Sequence, residues 1–129
     1  MGCDRRRRYR ENRIVLRGEI REVNFEPVRG SEASKRRPAV IVSNDGANTT
    51  ASRLNRGVIT VVPVTSNVTR VYPFQVFLPA PDTGLHRDSK AQAEQVRSVA
   101  VERVGERVGQ LTGSLISELD DALRLHLSL

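Results

Sequence analysis

Three short blocks set chemically able side chains at the ends of, or inside, apolar stretches. Arg37 stands directly ahead of Pro38-Ala39-Val40-Ile41-Val42. Thr65-Ser66-Asn67 follows Val61-Val62-Pro63-Val64, and Glu94, Gln95 and Arg97 interrupt the otherwise apolar stretch 91–100. Guanidinium, hydroxyl and carboxylate groups bind anions, donate hydrogen bonds and move protons. Taken one at a time, though, each reads as ordinary turn chemistry, since Thr, Ser and Asn leave strands in this way constantly.

Other kinds of site lack their signatures. Cys3 lies in a basic tail, His86 stands alone in a loop, and His126 falls on the apolar side of a helical pattern as a partly buried histidine. Neither histidine has a second His or Cys at metal-ligand spacing, so no metal is expected. Gly30-Ser31-Glu32-Ala33-Ser34 lacks the Gly-Lys-Ser/Thr ending of a phosphate-cradling loop. No serine sits in a nucleophile elbow and no Cys–His pair is present, so peptidase and esterase chemistry loses its usual marks. No cofactor is implied.

The chain has 129 residues, of which 38% are hydrophobic and 28% charged, which fits one compact domain. One cysteine rules out a disulfide framework. No apolar run approaches the roughly 20 residues of a membrane helix, and no apolar segment follows the basic start as a secretory signal requires. A cytoplasmic location is expected by elimination. The net charge of +6 is uneven: residues 1–37 carry 12 Lys and Arg against 6 Asp and Glu, leaving 9 against 9 in the remainder. Part of the excess is the run Arg5–Arg8 with Arg10 and Arg13, read as a basic, disordered extension over residues 1–13. The rest, from Arg17 to Arg37, gives a folded domain at 14–129 a basic edge suited to a phosphate-bearing partner.

These residues need elements to hold them. Residues 17–25 read as a strand, with the odd spacing of Ile20 and Val23 suggesting a bulge. Residues 26–37 read as a loop, and 39–42 as a buried strand. Residues 44–56 are polar, with an Asn-Asp-Gly turn signal and one helical turn at most. Gly57–Val64 reads as a second central strand in which Pro63 implies an edge or an ending. Residues 71–78 alternate as a half-solvated strand, 79–84 are a turn cluster and 91–100 are strand-like. Residues 102–110 read as a turn and a last strand. The persuasive helix is Gly113–Leu127, capped by Thr112 or Ser114, with Leu115, Ile116, Leu119, Ala122 and Leu123 at helical spacing. Short strands followed by one C-terminal helix favour a mainly β, α+β fold, a small bent barrel or twisted sheet, over a parallel α/β fold.

Five blocks in order carry a more specific signal: Arg17-Gly18-Glu19-Ile20, Gly30-Ser31-Glu32, Arg37-Pro38-Ala39-Val40-Ile41-Val42-Ser43-Asn44-Asp45, Val64-Thr65-Ser66-Asn67 and Ala93-Glu94-Gln95-Val96-Arg97-Ser98. From Arg17 to the C-terminus the chain resembles the MazF/PemK/Kid family of toxin endoribonucleases. The resemblance implies an SH3-like small β-barrel with a C-terminal helix, of the CcdB/Kid/MazF kind, assembled as a homodimer. It also implies metal-independent cleavage of single-stranded RNA at short sequences, leaving 2′,3′-cyclic phosphate and 5′-hydroxyl ends. A cognate MazE-like antitoxin would cover the RNA groove. By the same resemblance Arg37 stabilises phosphorane charge and serves as the acid, and the Thr65 hydroxyl donates to a non-bridging oxygen. A guanidinium is a poor general base, so Glu32 and Glu94 are the carboxylate candidates for that role. Some relatives pair the residue at the Glu94 position with an arginine two residues earlier, where this chain has Gln92. Arg17, Ser31, Lys35, Asn44, Ser66, Asn67, Gln95 and Arg97 are the RNA-binding candidates. Two other readings are a gyrase poison resembling CcdB, whose Trp-Gly ending this chain lacks, and a catalytically silent nucleic-acid-binding barrel.

Overall fold

The computed structural model describes residues 14–25 and 36–129. Seven strands form the sheet: β1 (Glu19–Asn24), β2 (Arg36–Ile41), β3 (Val58–Thr65), β4 (Gln75–Leu78), β5 (Ser89–Gln92), β6 (Arg97–Ala100) and β7 (Val104–Gln110). Helix α1 (Asp45–Leu54) links β2 to β3, the single turn α2 (Ala80–Thr83) follows β4, and α3 (Gly113–Leu127) ends the chain. All strand pairs are antiparallel, in the order β4-β5-β3-β2-β1-β7, with β6 also on β3. This is the mainly β, α+β arrangement with a C-terminal helix that the sequence implies. Among the described residues the ladder ends at β4 and β7, so the sheet is not closed into a barrel.

β2 and β3 read as almost unbroken apolar runs because both of their faces are covered. On one face Ile20, Val40, Val62 and Val64 pack with Leu111, Leu115, Leu119 and Ala122, the last three from α3. On the other, Val23, Ala39, Ile41, Ile59, Val61 and Val99 pack with Ala51 of α1. Truncating a side chain as deeply buried as Leu119 to alanine would cost about 2–5 kcal/mol. Two-residue alternation therefore fixes the face of every residue on the central strands, and a slip of one residue would invert both cores at once.

Pro63 lies inside β3 opposite Ala39, not at an edge. The carbonyl of Thr60 accepts from Val42 on the β2 side, so by alternation the nitrogen of Pro63 faces the other edge. There β3 changes partner, from β6 through Val61 to β5 from Val64. The missing N–H falls in the gap between partners and removes no ladder bond.

The polar stretch after β2 forms a ten-residue helix where at most one turn was expected. The Asn44 side chain caps α1 by accepting from Ala47 N at 2.8 Å, and Asn55 ends it in the left-handed conformation. Its one large buried polar residue, Asn48, donates to the carbonyl of Ser43 at 2.7 Å and also bonds the Ser43 hydroxyl. Caps and buried hydrogen bonds hold this helix where a hydrophobic stripe is missing.

Other differences are local. The ladder irregularity lies between β1 and β7: β7 advances two residues while β1 advances one from Ile20 to Arg21. A side chain at Gly109, next to this irregularity, would place its Cβ 2.6 Å from the carbonyl oxygen of Thr83. β4 is shorter than the alternating 71–78 stretch because Gln75 N donates back to Tyr72 O at 2.8 Å, closing a turn over Pro73. The 91–100 stretch is broken by a 3-10 turn, Ala93–Gln95, closed by Val96 N to Ala93 O. In α3 the buried stripe stops near Ala122, and His126 is exposed rather than partly buried.

Candidate active site

The β2–β3 register places Ala39 opposite Pro63. The β2–β3 ladder ends at this pair, and Arg37 and Thr65 lie two residues beyond it on their strands. Arg37 shares the face of Ala39 and Ile41, and Thr65 that of Ile59 and Val61, so the two project from one side of the sheet. Both line a pocket of about 260 Å³ together with Pro38, Val64, Ser66 and Ser89. Arg37 is exposed, and among the described residues its guanidinium has no hydrogen-bond or ion-pair partner. The Thr65 oxygen accepts from Asn67 N at 3.2 Å, which fixes the hydroxyl and leaves its proton to donate outward. A planar cation and a held hydroxyl at one small pocket are the donors that a phosphate group requires.

Ser66 and Asn67 continue from Thr65 and are exposed. The Asn67 side-chain oxygen accepts from Thr69 N at 3.3 Å, turning the loop away from the strand end. Ser89 is buried, lines the pocket and donates to the carbonyl of Arg87 at 3.0 Å. Nothing in the local sequence singles out Ser89, because its place follows from the β3–β5 register.

Arg97, on β6 opposite Val61, holds its guanidinium 5.2 Å from the centre of the Phe25 ring. That contact keeps an exposed cation and an aromatic face together on the Arg37 side of the sheet. Gln95 is exposed at the end of the 3-10 turn. Glu94 points elsewhere: its Oε2 accepts from Gln75 Nε2 at 2.6 Å, while its Oε1 is buried without a partner. Gln75 in turn accepts from Tyr72 N at 3.1 Å. Glu94 therefore ties the 3-10 turn to the start of β4, and it does not line the Arg37–Thr65 pocket.

Arg17 and Asn44 are engaged in holding the fold. The Arg17 guanidinium bonds the carboxylate of Asp120 on α3 and donates from Nε to the carbonyl of Val42 at 3.1 Å. Asn44 caps α1. Ser31, Glu32 and Lys35, like the 1–13 extension, lie outside the described residues.

A larger groove of about 730 Å³ runs along β1 and β7, with Glu22, Glu102 and Glu106 against Arg36 and Arg103. Its carboxylates outnumber its cations, so a polyanion is better served by the smaller pocket. Among the described residues no three His, Cys, Asp or Glu side chains converge as a metal's ligands, and no helix is long and apolar enough to cross a membrane.

Residues 16–127 match the family of PemK-like, MazF-like toxins of type II toxin-antitoxin systems. The chain belongs to this toxin family. It is 61% identical over 116 residues to endoribonuclease MazF9 of Mycobacterium tuberculosis, covering 90% of this chain and 98% of that protein. The crystal structure of a MazF from Deinococcus radiodurans superposes with a TM-score of 0.70 at 28% identity, covering 90% of this chain and 98% of the other. A MazE–MazF crystal structure from the same organism matches with a TM-score of 0.70 at 26% identity and the same coverage. The fold is thus shared with these MazF structures, and the family match spans the strands that bear Arg37 and Thr65.

Proposed function

We propose that this MazF-family toxin cleaves single-stranded RNA at the pocket shared by Arg37 and Thr65. The chain is a toxin endoribonuclease of a type II toxin-antitoxin system, and its relatives carry the endoribonuclease name. The observation that carries the site is the meeting, at one pocket, of a guanidinium with no partner among the described residues and an oriented hydroxyl.

In this reading the 2′-oxygen attacks the adjacent phosphorus and the bond to the 5′-oxygen breaks, giving a 2′,3′-cyclic phosphate and a 5′-hydroxyl. Arg37 clamps the phosphorane oxygens and donates toward the leaving 5′-oxygen, and Thr65 donates to a non-bridging oxygen. The base takes the 2′-proton. Glu94 is held by Gln75, which favours Glu32 as that base. Ser66, Asn67, Gln95 and Arg97 contribute contacts to splayed bases and phosphates, the usual mode of single-stranded RNA recognition. The protein acts as a homodimer in the cytoplasm, and a MazE-like antitoxin inhibits it by covering the groove.

The test is incubation of the protein with mixed-sequence single-stranded RNA in EDTA, with end mapping, beside Arg37→Ala. Cyclic-phosphate ends from the wild type, formed far more slowly by the variant, are expected. Intact RNA with the wild type removes the nuclease reading, and cutting by the variant at the wild-type rate removes the site.

A further inference from the structure

Lys90 takes no part in the mechanism above, yet its position joins it to the site. On β5 it stands opposite Thr65 of β3 and, across its other edge, opposite Phe77 of β4. Residues directly opposite in antiparallel strands project to the same face. Thr65 and Lys90 thus face the same way, and Arg37, on that face and lining the pocket of Thr65, leaves the hydroxyl flanked by two cations.

Lys90 is only 8% exposed. Its ammonium donates to the carbonyl of Arg70 at 2.6 Å and lies 6.0 Å from the centre of the Tyr72 ring. Among the described residues no carboxylate pairs with it. A carbonyl and a ring face are dipolar partners, and neither neutralises a full charge. Among the described residues this buried lysine thus has dipolar partners and no counter-ion, an arrangement that an anion would complete. Arg21, the other deeply buried cation, has its carboxylate in Glu19 at 3.0 Å. Lys90 does not itself line the Arg37–Thr65 pocket, but Thr65, its cross-strand partner, does, which makes that pocket the neighbouring feature built for an anion.

We propose that Lys90 is a second phosphate-binding cation of the RNA site, taking a phosphodiester oxygen of single-stranded RNA across Thr65 from Arg37. The inference rests on the ribonuclease reading and adds a residue to it. Arg70's carbonyl aims the ammonium, and its remaining protons go to the phosphate. The residue works as a compact point charge beside the planar clamp of Arg37.

The experiment measures binding of a mixed-sequence single-stranded RNA, 2′-O-methylated throughout and so uncleavable, as a function of salt. Each phosphate contact contributes about 0.7 to the slope of log K against log salt for a single strand. Lys90→Met keeps the aliphatic stem and lowers that slope by about 0.7; Lys90→Gln, which retains a donor for the Arg70 carbonyl, does the same; Lys90→Arg keeps the wild-type slope. An unchanged slope in Met and Gln variants that fold, as expected of a lysine neutralised by an internal carboxylate, overturns the proposal. So does an absence of wild-type binding. Unmodified RNA of the same sequence is digested in parallel. Wild type that cuts while the slope ignores Lys90 sinks this inference alone, and wild type that binds through Lys90 but cuts nothing sinks the ribonuclease reading alone.

Discussion

Arg37 and Thr65 lie two residues beyond the last β2–β3 pair, Ala39 with Pro63, and line the same pocket. Their meeting follows from the core. Val40 and Val62 must enter one apolar layer while Ala39, Ile41 and Val61 enter the other. That demand forbids a one-residue slip of either strand, and the register observed brings Arg37 and Thr65 to one pocket. The same packing that stabilises the sheet thus orients two groups that make no contribution to the core.

Arg37→Ala should slow cleavage severely while leaving the fold intact. The side chain is exposed and has no partner among the described residues, so stability should change by less than about 0.5 kcal/mol. Removing a preorganised donor to developing phosphorane charge lowers kcat by about 100- to 1,000-fold. Arg37→Lys should recover little, because a point charge does not reproduce the bidentate clamp. Single-turnover cleavage beside thermal unfolding checks both statements; a large drop in melting temperature would mean that the activity loss came from unfolding.

Thr65→Val should be the milder lesion. It keeps the β-branched shape of a strand residue and removes only a hydroxyl that accepts from Asn67 N. A hydrogen bond to a charged group contributes about 1.5–3 kcal/mol, so a fall of roughly 10- to 100-fold in kcat is expected. Thr65→Ser should restore most of it. If the serine variant is as impaired as the valine, the hydroxyl is not what matters at this position.

Glu94 and Glu32 separate by substitution with glutamine. Glu94→Gln can keep a hydrogen bond with Gln75 by turning an amide, so cleavage should stay within a few fold of wild type. Glu94→Ala should loosen the join between the 3-10 turn and β4 and lower the melting temperature. Glu32→Gln should reduce kcat by about 100-fold or more, as expected when a general base is lost. The reverse ranking of the two glutamine variants would hand the base role to Glu94.

Much of this was legible in the sequence, because it rests on patterns local to a few residues. The stripe of α3 and its Thr112 cap and the apolar runs of β2 and β3 lie where the residue pattern puts them, while Arg37, read as the loop before its strand, and Thr65, read as following its strand, are inside β2 and β3. What escaped depends on partners distant in sequence. α1 lacks a stripe and is held by Asn44, Asn48 and Asn55, residues that equally suit a turn. Arg17 resembles a basic-edge residue until Asp120, over a hundred positions away, is brought beside it. Lys90 sits among Ser89, Ala91 and Gln92 with nothing local to mark it. Only the pairing of β5 with β3 aligns it with Thr65.

The buried pair of Arg21 and Glu19 should prove the most sensitive charged feature of the described fold. The Arg21 guanidinium contacts Glu19 Oε1 at 3.0 Å and donates to the carbonyls of Gly105 at 3.1 Å and Ile14 at 3.2 Å. Glu19 Oε1 also accepts from Leu16 N at 2.7 Å. The network thereby joins β1, the edge strand β7 and the chain segment leading into the sheet. Arg21→Met fills much of the space but leaves the buried Glu19 carboxylate with only the longer ion pair to Arg107 at 3.7 Å, a loss of up to about 3–5 kcal/mol. For a domain near this size that corresponds to a drop of very roughly 10–20 °C in melting temperature. Adding Glu19→Gln to the same chain removes the carboxylate charge and should return part of the loss, so the double variant is more stable than Arg21→Met alone. Raising the salt concentration should not narrow the gap between wild type and Arg21→Met, since buried pairs are screened little. Calorimetric unfolding of the three proteins at low and high salt decides the matter: a gap that closes with salt, or a double variant less stable than Arg21→Met, would show that the pair acts at the surface and does not anchor β1 to β7.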